Sequence, residues 1–60
     1  MENVELFIQV IHETDDALLV DDGTKRVWLP TSQIYSIEEE REGYATIEIP
    51  EWLAEKKGLI

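Results

Sequence analysis

The sequence contains no cysteine. Disulfide cross-links, zinc sites built on thiolates and cysteine nucleophiles are therefore excluded, and the composition is compatible with a reducing cytoplasm. No apolar run approaches the roughly 20 residues of a membrane-spanning helix. The N-terminal stretch MENVELFIQV has no basic residue ahead of its apolar part, unlike a signal peptide. We expect a cytoplasmic protein without membrane contact.

Basic residues are also scarce, since five Lys and Arg face 14 Asp and Glu and give a formal net charge of -9. A nucleic-acid binder needs basic side chains to neutralise phosphates and release counterions. The strongly negative field disfavours direct nucleic-acid binding unless Lys25, Arg26 and Arg41 cluster on one face.

Glycine and proline are few, with three and two residues, while 43% of the chain is hydrophobic and five residues are aromatic. This composition favours a folded chain over a disordered one. A chain of 60 residues buries only about 60% of the surface that its unfolded form exposes. The sequence therefore predicts a single domain over residues 1–60. A homodimer, which would add burial, is an alternative.

Period-two alternation predicts a first strand from Val4 to Ile11. Alternate residues form one wholly apolar set, namely Val4, Leu6, Ile8 and Val10. The stretch HETDD, residues 12–16, then predicts a polar break between strands. The apolar run ALLV leads into DDGTK, where Asp22 and Gly23 predict a hairpin because both tolerate positive φ. The partner strand, Lys25 to Leu29, is expected to stop at Pro30, which has no N–H for the ladder.

The stretch VWLPTSQI, residues 27–34, predicts a corner. Pro30 fixes φ, and Thr31 and Ser32 can hydrogen-bond to nearby backbone, which is typical of a turn or a short 3₁₀ turn. The following stretch, YSIEEEREGYATIEIP, predicts a second hairpin that turns at EREG. We expect its two strands to expose carboxylates on one side.

The last segment, PEWLAEKKGLI, predicts a short helix. Pro50 suits its first position, and Gly58 can take the left-handed conformation that closes it. Leu59 would fold back on the last turn, and Trp52 with Leu53 would dock the helix on the sheet. The predicted fold is mainly β: a four- or five-stranded antiparallel sheet, curled into a half-barrel or small barrel, with a short C-terminal helix.

The sequence predicts no enzyme, no catalytic residue, no metal site and no cofactor. His12 lacks the spacing of a metal motif and is interpreted as an edge histidine in a polar turn rather than a ligand or base. An EF-hand with Gly23 at its sixth position fails, because Leu18 and Val20 would stand where oxygen ligands are needed. Weak divalent binding remains an alternative for the aspartates at the turns, Asp15, Asp16, Asp21 and Asp22. A chain this short has little volume for a catalytic cleft.

The aromatic and the acidic residues are the two groups considered for binding a partner. Trp28 and Trp52 are expected in the core, packed against each other or across the sheet and helix. The acidic residues predict a face that binds a basic groove of another protein, with carboxylates in place of phosphates. Its candidate residues lie on the second hairpin and at the turns: Glu38, Glu39, Glu40, Glu42, Glu48, Asp15, Asp16, Asp21 and Asp22. The alternative is a solvated surface that only maintains solubility.

The segments WLPTSQI and IPEWLAEKKGLI together resemble a pattern of small uncharacterised proteins of bacteriophages and mobile elements. The resemblance spans residues 27–60, although a lysine is commoner in that pattern where Thr31 stands. It implies a phage-type protein, and small acidic phage proteins include inhibitors of host defence such as anti-CRISPR proteins.

Two functions follow as expectations from this resemblance and from the charge. The first is a non-enzymatic inhibitor that occupies the basic nucleic-acid groove of a host nuclease, helicase or CRISPR effector in the host cytoplasm. The alternative is an accessory OB- or SH3-like module of phage replication or recombination, which would touch single strands through Trp28, Tyr35 and Arg41. A third reading is a homodimer that pairs through a sheet edge.

Overall fold

The computed structural model describes residues 2–60 and shows one five-stranded antiparallel sheet followed by a short helix. The strands are β1 (Asn3–Glu13), β2 (Ala17–Asp21), β3 (Arg26–Pro30), β4 (Ser36–Arg41) and β5 (Tyr44–Pro50). A 3₁₀ turn covers Thr31–Gln33, and helix α1 covers Glu51–Lys56. The prediction of a mainly β fold with a five-stranded antiparallel sheet and a short C-terminal helix is confirmed. The sheet is open and does not close into a barrel.

The sheet is organised around the long strand β1. The spatial order is β3-β2-β1-β5-β4, so β1 is central and β3 and β4 are the two edges. Residues 3–9 of β1 pair with β5, and its other half pairs with β2. A register shift between Val10 and His12 marks an irregularity, and such bulges bend a strand. One strand therefore serves two hairpins and joins them into a single curved sheet.

The core lies on one side of the sheet, which we call the inner face. Directly paired residues point to the same side, and the pairs Val4–Ile49, Leu6–Ile47 and Val10–Val20 define this face. The most buried side chains come from four strands and α1: Ile8, Leu18, Val20, Leu29, Ala45, Ile47, Ile49, Leu53 and Ala54. The predicted apolar set of the first strand does line the core. The opposite side is the outer face.

Helix α1 is held by its ends and by two buried side chains. Pro50 is the N-cap, so the helix begins at Glu51, one residue after the predicted first position. Gly58 closes the helix with φ of +73°. The N–H of Leu59 donates to the carbonyl of Ala54 at 2.8 Å, and Leu59 packs against the core. Leu53 is buried as well. Six residues are too few for a helix to persist alone in water, so packing on the sheet maintains α1.

The prediction that both tryptophans belong to the core is wrong. Trp28 is 45% exposed and Trp52 is 44% exposed. Trp28 points to the outer face because its neighbours Val27 and Leu29 point inward and side chains alternate along a strand. On α1 the buried positions belong to Leu53 and Ala54, so Trp52 is left at the surface.

Candidate partner-binding surface

The structure does not gather the nine candidate carboxylates into one compact face. They fall into three groups: Asp15 and Asp16 in the turn after β1, Asp21 and Asp22 at the end of β2, and Glu38, Glu39, Glu40, Glu42 and Glu48 on the β4–β5 hairpin. The β2–β3 and β4–β5 turns both approach the middle of β1, since Gln9 pairs with Asp21 on one side and with Tyr44 on the other.

The expectation that the second hairpin exposes its carboxylates on one side is also wrong. Glu38 pairs with Thr46 on the outer face, whereas Glu39 pairs with Ala45 on the inner face. Consecutive strand residues cannot share a side because the side-chain period is two. Glu40 sits at the register shift between its neighbours. The glutamates therefore surround the edge strand β4 rather than cover one face.

Some of these carboxylates are used by the fold itself. Asp21 accepts the N–H of Gly23 at 2.7 Å and forms an ion pair with Arg26 at 3.2 Å. Glu48 accepts the side-chain amide of Asn3 at 3.1 Å and the hydroxyl of Ser36 at 3.4 Å. These groups hold a turn and the start of the β4–β5 hairpin, so they are less available to a partner.

Asp22 organises the β2–β3 turn. Its Oδ1 accepts the N–H groups of Thr24 at 2.8 Å and Lys25 at 2.9 Å, together with the hydroxyl of Thr24 at 2.9 Å. The backbone bond from Thr24, and next that from Lys25, lower the pKa of the Asp22 carboxyl below 3.8. Gly23 completes the turn with φ of +102°, whereas Asp22, for which the prediction also allowed a positive φ, keeps a negative one.

We expect Asp22→Ala to lower the melting temperature at neutral pH, because the turn loses its acceptor. A carboxyl with a lowered folded-state pKa stabilises the fold above its unfolded pKa, near 3.8, and loses that effect as the pH falls through the folded value. The difference in melting temperature between wild type and variant should therefore shrink below pH 3.8. Thermal denaturation followed by circular dichroism at neutral and acid pH measures this difference. A difference of the same size at both pH values would contradict the role of the Asp22 carboxylate in the turn.

The remaining acidic side chains are free of such contacts. Within residues 2–60, no hydrogen bond or ion pair engages the carboxylates on β4, its turn and the β1–β2 turn, which are Glu38, Glu39, Glu40, Glu42, Asp15 and Asp16. All six residues of β4 are exposed. The edge strand β4 is therefore the most concentrated source of uncompensated negative charge in the fold.

The outer face carries an aromatic stack beside this strand. The rings of Phe7 and Tyr44 lie 5.6 Å apart and nearly parallel, at 8°. The guanidinium of Arg41 lies over the Tyr44 ring at 5.2 Å, which is a cation–π contact. Phe7 is 54% exposed. The one cation of β4 is thus held against a neighbouring ring.

The structure does not bring together the residues of the single-strand alternative. Trp28 lies on edge strand β3, whereas Tyr35 immediately precedes the opposite edge strand β4 and Arg41 is its last residue. Arg26 and Arg41 do share the outer face, but four strand spacings of about 4.8 Å separate them by roughly 19 Å. Arg26 is paired with Asp21. No compact basic patch results from these two arginines.

His12 lies on the outer face, within β1 rather than in the polar turn where the sequence predicts it. Its ring meets the Trp28 ring edge-on at 6.2 Å and 89°. The described part of the chain holds no group of three or more His, Cys, Asp or Glu that could bind a metal ion. His12 is therefore a packing partner of Trp28 in this structure.

Two surface cavities of about 170 Å³ each flank the sheet. The first lies against the Phe7–Tyr44 stack and the β2–β3 turn. The second includes Glu13, Leu18 and Ile37 in its walls. Sequence reasoning missed the second cavity, because it placed Glu13 in a polar break; the register shift in β1 instead pairs Glu13 with Leu18 on the inner face.

Comparison of the chain with protein-family models, with curated proteins and with solved structures gives no significant match. Across residues 2–60, none of the helical structure has the length and apolar character that crossing a bilayer requires.

Proposed function

We propose that this protein is a small, non-enzymatic binding module that docks through the acidic edge strand β4 onto a basic groove of a partner protein. The observation that supports this proposal is the state of β4: every residue is exposed, and its glutamates have no partner within residues 2–60. The resemblance of residues 27–60 to small phage proteins supports a finer role. In that role, the partner is a host nuclease, helicase or CRISPR effector, and the protein inhibits it by occupying its nucleic-acid groove.

The position of β4 explains why a partner rather than a second copy is favoured there. An edge strand presents unpaired backbone N–H and C=O groups, which can pair with another strand. Two copies of β4 would place Glu38, Glu39 and Glu40 against the same charges, and like charges across a strand pair are destabilising. A basic surface relieves this repulsion, so the strand selects a partner of opposite charge.

The net charge acts at longer range. With a net charge of -9, the whole molecule is attracted to a positive groove, which accelerates association and makes it sensitive to salt. The free carboxylates of β4 would then stand where the groove otherwise holds phosphates. Blocking the groove in this way requires no chemistry from the protein.

The test is capture of proteins from a bacterial lysate by wild-type protein and two triple variants. The β4 variant carries E38Q, E39Q and E40Q. The control variant carries the same change in charge away from β4, with E2Q, E51Q and E55Q. Capture is performed at about 0.1 M and about 1 M salt, between which the Debye length falls from about 10 Å to about 3 Å.

We expect wild type and control variant to capture the same protein with a nucleic-acid groove at low salt, and the β4 variant and high salt to abolish its capture. The captured enzyme should be inhibited by wild-type protein and not by the β4 variant. Equal capture by all three forms would contradict the role of β4. Recovery of nucleic acid or of replication proteins would favour the accessory module instead.

A further inference from the structure

We propose that the cavity beside Glu13 binds an arginine side chain of the partner. This inference rests on the proposed function, because it names the group by which a basic partner is anchored next to β4. The cavity lies between the end of β1, the start of β2 and the segment that leads from the 3₁₀ turn into β4.

The register of the strands explains why a carboxylate and an apolar wall meet there. Glu13 pairs with Leu18, and Leu18 pairs with Leu29, so all three belong to the inner face. Ile37 also points inward, since it pairs with buried Ile47. The 3₁₀ turn crosses from β3 to β4 and brings the start of β4 to this end of the sheet.

The apolar walls of the cavity suit the methylene chain of an arginine side chain. Leu18 is buried, Ile34 is partly buried, and Ile37 is 52% exposed at the opening. The volume of about 170 Å³ equals that of five to six waters at about 30 Å³ each. Drug-sized ligands need pockets of about 300–1,000 Å³. The cavity therefore has room for one long side chain.

The rim supplies the groups that recognise a guanidinium. The Glu13 carboxylate has no hydrogen bond or ion pair within residues 2–60, so it is free to accept bidentate bonds. Tyr35 is 64% exposed at the opening, and an arginine plane stacks on such a ring. The free carboxylates of Asp15 and Asp16 follow Glu13 in the chain, and Glu38 follows Ile37. These charges add to the negative potential around the cavity, which attracts a cation.

The first cavity, beside the Phe7–Tyr44 stack, has the same size but lacks a free carboxylate. It is also lined by aromatic rings and two aspartates. However, Asp21 is paired with Arg26, and Asp22 accepts the bonds that hold its own turn. An arginine would have to displace these internal contacts, whereas Glu13 has none to lose.

The test uses a three-residue peptide with a central arginine, blocked at both ends, and the same peptide with citrulline, the neutral isostere of arginine. Each is titrated into ¹⁵N-labelled protein, and amide shifts are followed by NMR. We expect saturable shifts at Glu13 and at residues 34–37, with a dissociation constant in the millimolar range. The citrulline peptide should bind at least about fivefold more weakly, because it lacks the charge-assisted bonds.

Variants identify the groups involved. Glu13→Gln should remove the preference for arginine, while Glu55→Gln, the same change on exposed α1, should preserve it. Ile37→Ala should weaken both peptides. Equal binding of the two peptides, shifts spread over all acidic segments, or no saturable shift would overturn the proposal. The peptide test does not depend on Glu38, Glu39 or Glu40, so it can fail while capture through these glutamates succeeds, and the reverse outcome would contradict the proposed function alone.

Discussion

Replacing Ile47 by alanine is expected to unfold most of the protein. Ile47 is fully buried at the centre of β5, where it pairs with Leu6 on one side and Ile37 on the other. Large-to-small changes at such sites cost about 2–5 kcal/mol. A core in a chain of this size rarely supplies more than about 3–5 kcal/mol in total. The variant should therefore lose its cooperative denaturation transition.

The matched control is Ile37→Ala, on the directly paired position. Ile37 has the same side chain and faces the same way, but it is 52% exposed. Its truncation leaves no enclosed void, so we expect a loss of less than about 1 kcal/mol. Urea denaturation followed by circular dichroism measures both variants. Similar losses for the two isoleucines would contradict the position of the core.

Leu53→Ala is expected to destabilise the protein more than Trp52→Ala, although tryptophan is the larger residue. Leu53 is buried between α1 and the sheet, whereas Trp52 lies at the surface of the same helix turn. Truncating a buried leucine costs about 2–5 kcal/mol. Truncating the half-exposed ring loses only the part of its area that is covered and leaves no enclosed cavity, so its loss should stay below that of Leu53.

The consequence extends beyond the helix itself. Six residues do not persist as a helix without tertiary contacts, so Leu53→Ala should also release α1 from β1 and β5. Hydrogen exchange of the α1 amides and urea denaturation measure the two effects. A larger loss for Trp52→Ala would restore the original expectation that the tryptophan docks the helix.

Local patterns predicted the elements of the fold well, because each depends on a few neighbouring residues. The hairpin at Asp22 and Gly23, the 3₁₀ turn after Pro30 and the glycine that closes α1 at Gly58 are all present. Period two identified the inner residues of β1 correctly. These features follow from backbone geometry and side-chain alternation, which a short sequence window contains.

The candidate site depended on information that no short window contains. The register shift in β1 turns Glu13 to the inner face, and nothing in HETDD indicates it. Hydrophobicity alone placed Trp28 in the core, but strict application of alternation to VWL would have directed it outward. The same alternation separates Glu38 from Glu39. The cavity forms only because the 3₁₀ turn and the start of β4 lie beside the end of β1, from which they are distant in the sequence.

If β4 is the docking surface, its glutamates must determine the affinity for the captured partner. Its dissociation constant is measured by calorimetry for wild type, the β4 variant and the control variant over a range of salt concentrations. We expect the β4 variant to bind at least about tenfold more weakly, which is about 1.4 kcal/mol, and with a shallower dependence on salt. The control should stay within about twofold of wild type. Equal dissociation constants for wild type and the β4 variant would show that the acidic strand is not the docking surface.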